Sequence, residues 1–140
     1  SSPCVYIHPK DRNKLSDPDE NLSEWMNIPF STHINAMDIN DNDTLKIGGM
    51  NIKVIHTPGH TAGSVCFHIS EGEEEVLVSG DTLFASSIGR TDLPGGDHEE
   101  LIRSVAKLDL LPDPLHVLPG HGPETTIGRE RKNNPFWPKG

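Results

Sequence analysis

Apolar and polar positions change rhythm along this 140-residue chain. Val5-Tyr6-Ile7 is a short apolar run that predicts a strand near residues 4–8. Residues 10–24 are polar and turn-rich, with room for a short helix ending near Trp25. From Thr44 the chain alternates. Leu45 and Ile47 precede a Gly48-Gly49 turn, and Ile52 and Val54 follow it up to His56, the period of half-buried strands. Val65-Cys66-Phe67-His68-Ile69 predicts another strand, Ser70 to Glu75 a hairpin turn, and Val76-Leu77-Val78 a short apolar strand. The period then becomes helical, with Leu101, Ile102, Val105 and Leu108 on one face. Asp97, with Glu100 three residues on, suits an N-cap with a capping box, and Pro112 is placed to stop that helix. Leu115 to Leu118 predicts a final strand, and Thr125 to Lys132 the start of a last helix. Hairpins mixed with helices predict one α/β (or α+β) unit on a mixed sheet.

Composition narrows the partners. Net charge is −9, and the nearest approach to a basic cluster, Arg129-Glu130-Arg131-Lys132, is interrupted by an acid. This argues against nucleic acid and against an anionic membrane as the main partner. No apolar run approaches the roughly 18–20 residues of a membrane span. The two cysteines, Cys4 and Cys66, form neither a disulfide framework nor a zinc-ribbon spacing. A reducing, cytoplasmic setting is therefore the expectation. The 13 glycines and 12 prolines indicate many specialised loops.

A recurrence in those loops carries the chemistry. Val54-Ile55-His56-Thr57-Pro58-Gly59-His60 is an apolar run ending in Pro-Gly-His, and His116-Val117-Leu118-Pro119-Gly120-His121 repeats it. Between them, Val76-Leu77-Val78-Ser79-Gly80-Asp81 ends in Gly-Asp. In each case a strand stops, Pro and Gly shape a tight loop, and a metal-competent side chain follows. Three such strands side by side would bring His60, Asp81 and His121 together. Imidazole and carboxylate suit zinc, iron or manganese, and the two oxygens of Asp81 suit a bridge between two cations. The spacing alone is equally compatible with turns that carry an exposed histidine.

These segments are recognisable. His56-Thr57-Pro58-Gly59-His60-Thr61-Ala62-Gly63-Ser64, Ser79-Gly80-Asp81-Thr82-Leu83-Phe84 and Pro119-Gly120-His121-Gly122 resemble the third, fourth and fifth motifs of the metallo-β-lactamase superfamily. Gly89-Arg90-Thr91-Asp92 and Pro123-Glu124-Thr125-Thr126-Ile127-Gly128 look like the short bacterial hydrolases related to glyoxalase II, the hydroxyacylglutathione hydrolases. The resemblance implies an αββα sandwich with a di-metal centre, usually zinc, where a metal-bound hydroxide attacks a thioester or ester carbonyl. By motif position His60 and His121 would be terminal ligands of the two metals and Asp81 the bridge.

The superfamily's His-x-His-x-Asp-His segment does not occur. It normally precedes a strand corresponding to Val5-Tyr6-Ile7. The expectation is therefore the C-terminal portion of the fold, residues 1–140, lacking much of the first sheet and about half of the metal ligands. An uncovered sheet face would favour self-association. Two alternatives stand beside the hydrolase: a mononuclear iron enzyme of the persulfide dioxygenase type, similar around Gly-Arg-Thr-Asp, and a non-catalytic interaction module.

Other residues read blandly. His56 is taken as a strand-end polar residue. His8, His33, His68, His98 and His116 match no ligand position. Asp38 to Asp43 is a solvated turn that lacks the Gly and Glu of a calcium loop. Cys66 reads as a small core residue. Arg90 and Asp92 are expected to pair, and Trp25, Phe84 and Phe136 to pack in the core rather than line a substrate pocket. Glu73-Glu74-Glu75 reads as a hairpin rim.

Overall fold

The structure, a computed structural model, describes residues 4–24 and 26–139. Trp25, to which the expectations of a helix end and of core packing were attached, lies outside them. Strand β1 is Val5–Ile7. The polar segment after it forms a 3-10 helix, Pro9–Leu15, entered through His8, whose Nδ1 accepts the Lys10 N–H. Turns then carry the chain to β2, Ala36–Asp38, which pairs parallel with β1.

The main sheet begins with the hairpin of β3, Thr44–Ile47, and β4, Met50–His56. Strand β5, Val65–Glu71, and β6, Glu74–Gly80, follow. Their turn is only Gly72-Glu73, so both strands reach into the polar stretch expected to be turn. A small hairpin, β7 (Leu83–Phe84) and β8 (Ser87–Ile88), leads to helix α1, His98–Leu108. Strand β9 is His116–Pro119, β10 is Thr125–Thr126, and helix α2 is Ile127–Asn133. Asp97 caps α1 as expected, accepting the Glu100 N–H at 3.0 Å. The helix ends at Leu108 with Asp109 as its C-cap, before Pro112 is reached.

The six strands are ordered β10-β9-β6-β5-β4-β3. The three ligand-bearing strands are thus in one sheet but not all side by side, because β5 lies between β4 and β6. The convergence survives. Strands β4 and β6 are both antiparallel to β5, and β9 is parallel to β6. All three therefore run the same way, and their C-terminal ends share one edge.

Alternation divides the sheet into two faces. One face sends Cys66, Leu77 and Val117 into a core with Leu101, Val105 and Leu108 of α1 and Ile127 of α2. Trp137 joins this core, whereas Phe136 is 39% exposed and meets the His98 ring edge-on, against the expectation of core packing. The other face carries two cross-strand apolar lines, Ile52–Ile69–Val76 and Phe67–Val78–Leu118. All six of these side chains are only half-buried.

The two thiols differ sharply. Cys66 is fully buried, and burial pushes its thiol up to about 11, while Cys4 is exposed. The thiolate is the reactive form. A thiol reagent at pH 8 is therefore expected to label Cys4 rapidly and Cys66 only after denaturation. Two fast-reacting thiols per native chain would contradict the buried position.

Candidate metal centre

His60 follows a loop whose shape is set by Pro58 and Gly59. Gly59 sits at φ +143, its carbonyl accepts the Asp97 N–H at 2.8 Å, and its Cα faces the backbone of Leu101. Below it, Ser104 donates to the Pro58 carbonyl at 2.7 Å. The start of α1 is therefore docked directly under the His60 loop. Asp11, on the 3-10 helix, braces the other side by accepting the Thr61 hydroxyl (2.6 Å) and the Gly63 N–H (3.0 Å). Gly63 has no room for a side chain, since a Cβ would lie 2.6 Å from the Asp11 Cγ.

Asp81 emerges from β6 through Gly80, which is in the left-handed region at φ +52. The Thr82 N–H donates to the Ser79 carbonyl (3.0 Å) and the Ser79 hydroxyl to the Leu83 carbonyl (2.7 Å), closing a tight turn. Two neighbours approach Asp81 as closely as glycine permits. A Cβ on Gly120 would sit 2.8 Å from Asp81 Oδ1, and one on Gly89 would sit 1.8 Å from the Asp81 carbonyl oxygen. The His121 loop is drawn in by the Gly120 N–H, which donates to the Gly80 carbonyl at 2.8 Å.

The result is a shared carboxylate. His60 Nε2 lies 3.3 Å from Asp81 Oδ2, and His121 Nε2 lies 3.3 Å from Asp81 Oδ1. His60 is the more sheltered imidazole, with 20% of its side chain exposed against 78% for His121. His60 Nδ1 lies 2.8 Å from the Arg90 carbonyl. A carbonyl only accepts, so His60 Nδ1 is the donor of that bond, and Nε2 is the nitrogen turned toward Asp81. His121 has the Phe84 ring edge-on, with centroids 5.9 Å apart. Among the described residues, no three His, Cys, Asp or Glu side chains surround a single point as a cation would need. The arrangement is two imidazole–carboxylate pairs that share Asp81.

Arg90, which supplies the carbonyl for His60, is itself fixed. Its guanidinium makes two hydrogen bonds to Asp92, at 2.7 and 2.8 Å, and these hold the Asp92 carboxyl down to about 2. His56 is not a ligand neighbour. Its Nε2 meets the Ala62 carbonyl at 2.8 Å, and its ring stacks on His8 with centroids 4.0 Å apart. His8 matched no motif, yet it is buried and ties the start of the chain to the end of β4.

Burial, and then the facing His56, lower the His8 pKa below its ordinary 6.5. As pH falls from 6.5 toward that lowered value, the unfolded chain binds more protons than the folded one, so stability is lost over that range. His8→Phe keeps a ring to stack but removes the titration. Its melting temperature is expected to fall less steeply below pH 6.5 than that of the wild type. Equal slopes in the two proteins would contradict the assignment.

The family follows at this point. Residues 1–121 match the metallo-beta-lactamase superfamily model, and the chain belongs to that superfamily. It is 40% identical over 134 residues to the probable metallo-hydrolase YqgX of Bacillus subtilis, covering 94% of this chain and 63% of that protein. It is also 46% identical over 97 residues to the hydroxyacylglutathione hydrolase GloC of Haemophilus influenzae, covering 69% of this chain and 45% of that protein. The crystal structure of the BLEG-1 B3 metallo-beta-lactamase superposes with a TM-score of 0.85 at 46% identity, covering 95% of this chain and 64% of that one. TTHA1623, solved in a di-iron-bound form, superposes at 0.78 with 34% identity, covering 95% and 64%. The fold is that of the superfamily, and the chain spans less than two thirds of the length of these relatives. No helix among the described residues is long and apolar enough to cross a membrane.

Proposed function

We propose that this chain supplies one wall of a two-cation hydrolase centre, with His60 and His121 as terminal ligands and Asp81 as the bridge. The reaction it serves is hydrolysis of a thioester or ester. The observation that carries the reading is the pair of imidazole Nε2 atoms facing separate oxygens of one carboxylate at 3.3 Å.

The donor set suits zinc, iron(II) or manganese(II), and with Nδ1 engaged by the Arg90 carbonyl, Nε2 is the His60 nitrogen left to face a cation. When bound, such a cation pair supplies an acidified water and positive charge opposite the carbonyl oxygen. The protein's own part is placement. Asp81 sets the distance between the two positions, the Arg90 carbonyl orients His60, and the bare backbone of Gly120 lets the His121 loop close on the carboxylate. Each cation would take two protein donors from this set. A catalytic zinc takes three, so the reading calls for ligands beyond these three. Thioester preference is supported by the likeness to the hydroxyacylglutathione hydrolase and by the Gly89-Arg90-Thr91-Asp92 segment.

Cobalt(II), zinc and manganese(II) titrated into the cation-free chain, with bound metal counted after dialysis, are expected to saturate at about two per chain. S-lactoylglutathione and a simple aryl ester then test turnover by the loaded protein. Absence of saturable binding would overturn the site. Hydrolysis of the ester without the thioester would overturn the thioester preference.

A further inference from the structure

Glu130 lies among the basic residues Arg129, Arg131 and Lys132, and it is fully buried. Its carboxylate is completely engaged. Oε1 accepts the Ser86 N–H at 2.7 Å and the Asn134 side-chain amide at 3.0 Å, and Oε2 accepts the Thr125 hydroxyl. Asn134, one turn further on and 4% exposed, also donates to the carbonyls of Ser87 (3.0 Å) and Phe84 (3.4 Å). The two side chains therefore grip the β7–β8 hairpin at three backbone positions. The grip centres on its turn, where Ser86 holds a left-handed φ of 64.

That hairpin and the two residues after it, Gly89 and Arg90, touch all three candidate ligands. Phe84 sets its ring edge against His121. Gly89, just past β8, packs its Cα on the Asp81 backbone, and its N–H donates to the Thr82 carbonyl at 3.3 Å. The next residue, Arg90, provides the carbonyl that sets the His60 tautomer. A displaced hairpin would release the His60 Nδ1–H and the Phe84 contact together.

We infer that Glu130 and Asn134 are positioning residues for the His60–Asp81–His121 centre, acting through the β7–β8 hairpin. Neither touches a candidate ligand. This rests on the reading of those three residues as cation ligands, but its first test needs no cation.

Long-range proton–nitrogen NMR of the cation-free 140-residue protein reports the His60 tautomer directly. The wild type is expected to show an Nδ1–H held in its hydrogen bond to the Arg90 carbonyl. Glu130→Ala and Asn134→Ala are expected to lose that Nδ1–H signal. Glu130→Gln keeps an oxygen for Ser86 and an amide for Thr125, and is expected to retain the wild-type signature. Ile127→Val thins the same helix's core contact and leaves both hydrogen-bonded grips on the hairpin in place. It is expected to lower the melting temperature and leave the tautomer unchanged, which separates positioning from general stability. If Glu130→Ala fails to fold, Asn134→Ala carries the test. Folded alanine variants with an unchanged His60 tautomer would overturn the inference. So would an Ile127→Val protein that shifts it equally.

Cobalt(II) affinity is the second readout, expected to fall roughly tenfold or more in the alanine variants. Unchanged affinity despite a shifted tautomer would also overturn the role. If the wild type binds no cobalt while the tautomers shift as described, the positioning role stands and the metal reading fails.

Discussion

Asp81→Ala is expected to remove cation binding altogether while leaving the fold intact. Both imidazoles face this one carboxylate, so its loss takes a donor from both positions at once. His60→Ala and His121→Ala each remove one terminal donor and are expected to lose about half of the bound metal, since the other position keeps its histidine and Asp81. The side chain of Asp81 is 35% exposed, and its contacts are with two imidazoles rather than with the core. Its melting temperature in the cation-free state should therefore stay close to that of the wild type. Metal counted after dialysis, with melting followed in parallel, checks both halves. If Asp81→Ala retained the wild-type stoichiometry, the shared carboxylate would not be the bridge. If it unfolded, Asp81 would be a structural residue of the β6 turn.

The strand ends were legible because their signals are local. Pro58-Gly59-His60 and Pro119-Gly120-His121 each announce a strand, a stop and a side chain within seven residues, and Asp97 with Glu100 marks the start of α1 in four. What stayed hidden depends on partners distant in sequence. Strand β2 has three residues and no clear alternation, and it forms only because β1, about thirty residues earlier, lies beside it. His8 looked ordinary, since nothing near it in sequence shows that His56 will stack on it. Glu130 is the sharpest case. Set between Arg129 and Arg131 it reads as a solvated charge, yet its environment is made by Ser86, Thr125 and Asn134. A charged residue is rarely buried without such partners, so burial there is a tertiary decision. The sheet order shows the same limit. The three motifs gave the ends of β4, β6 and β9, but not that β5 would lie between the first two.

Gly59→Ala is expected to be among the most destabilising single substitutions in this chain, although it adds one methyl group. Two costs coincide. The backbone at φ +143 is one that residues with a Cβ rarely adopt, a strain of about 1–3 kcal/mol. The new Cβ would also lie 2.3 Å from the Leu101 Cβ, 2.4 Å from its Cα and 2.6 Å from its nitrogen. Those are mostly backbone atoms of α1, and the helix is held by the core around Leu101, Val105 and Leu108, so no side-chain rotation relieves the clash. Overpacking adds about 1–3 kcal/mol, for a combined loss of about 3 kcal/mol or more. Gly72→Ala is the matched control. It sits at φ +61 in the β5–β6 turn with nothing within 4 Å of the new methyl, so it pays for conformation alone, about 1 kcal/mol. Urea denaturation of the two variants separates the terms. A Gly59→Ala midpoint no lower than that of Gly72→Ala would show that α1 can move away from the loop. In that event the His60 loop should relax as well, because the Asp97 N–H and the Gly59 carbonyl join the two. The cost of this methyl therefore measures how firmly α1 fixes the loop that carries His60.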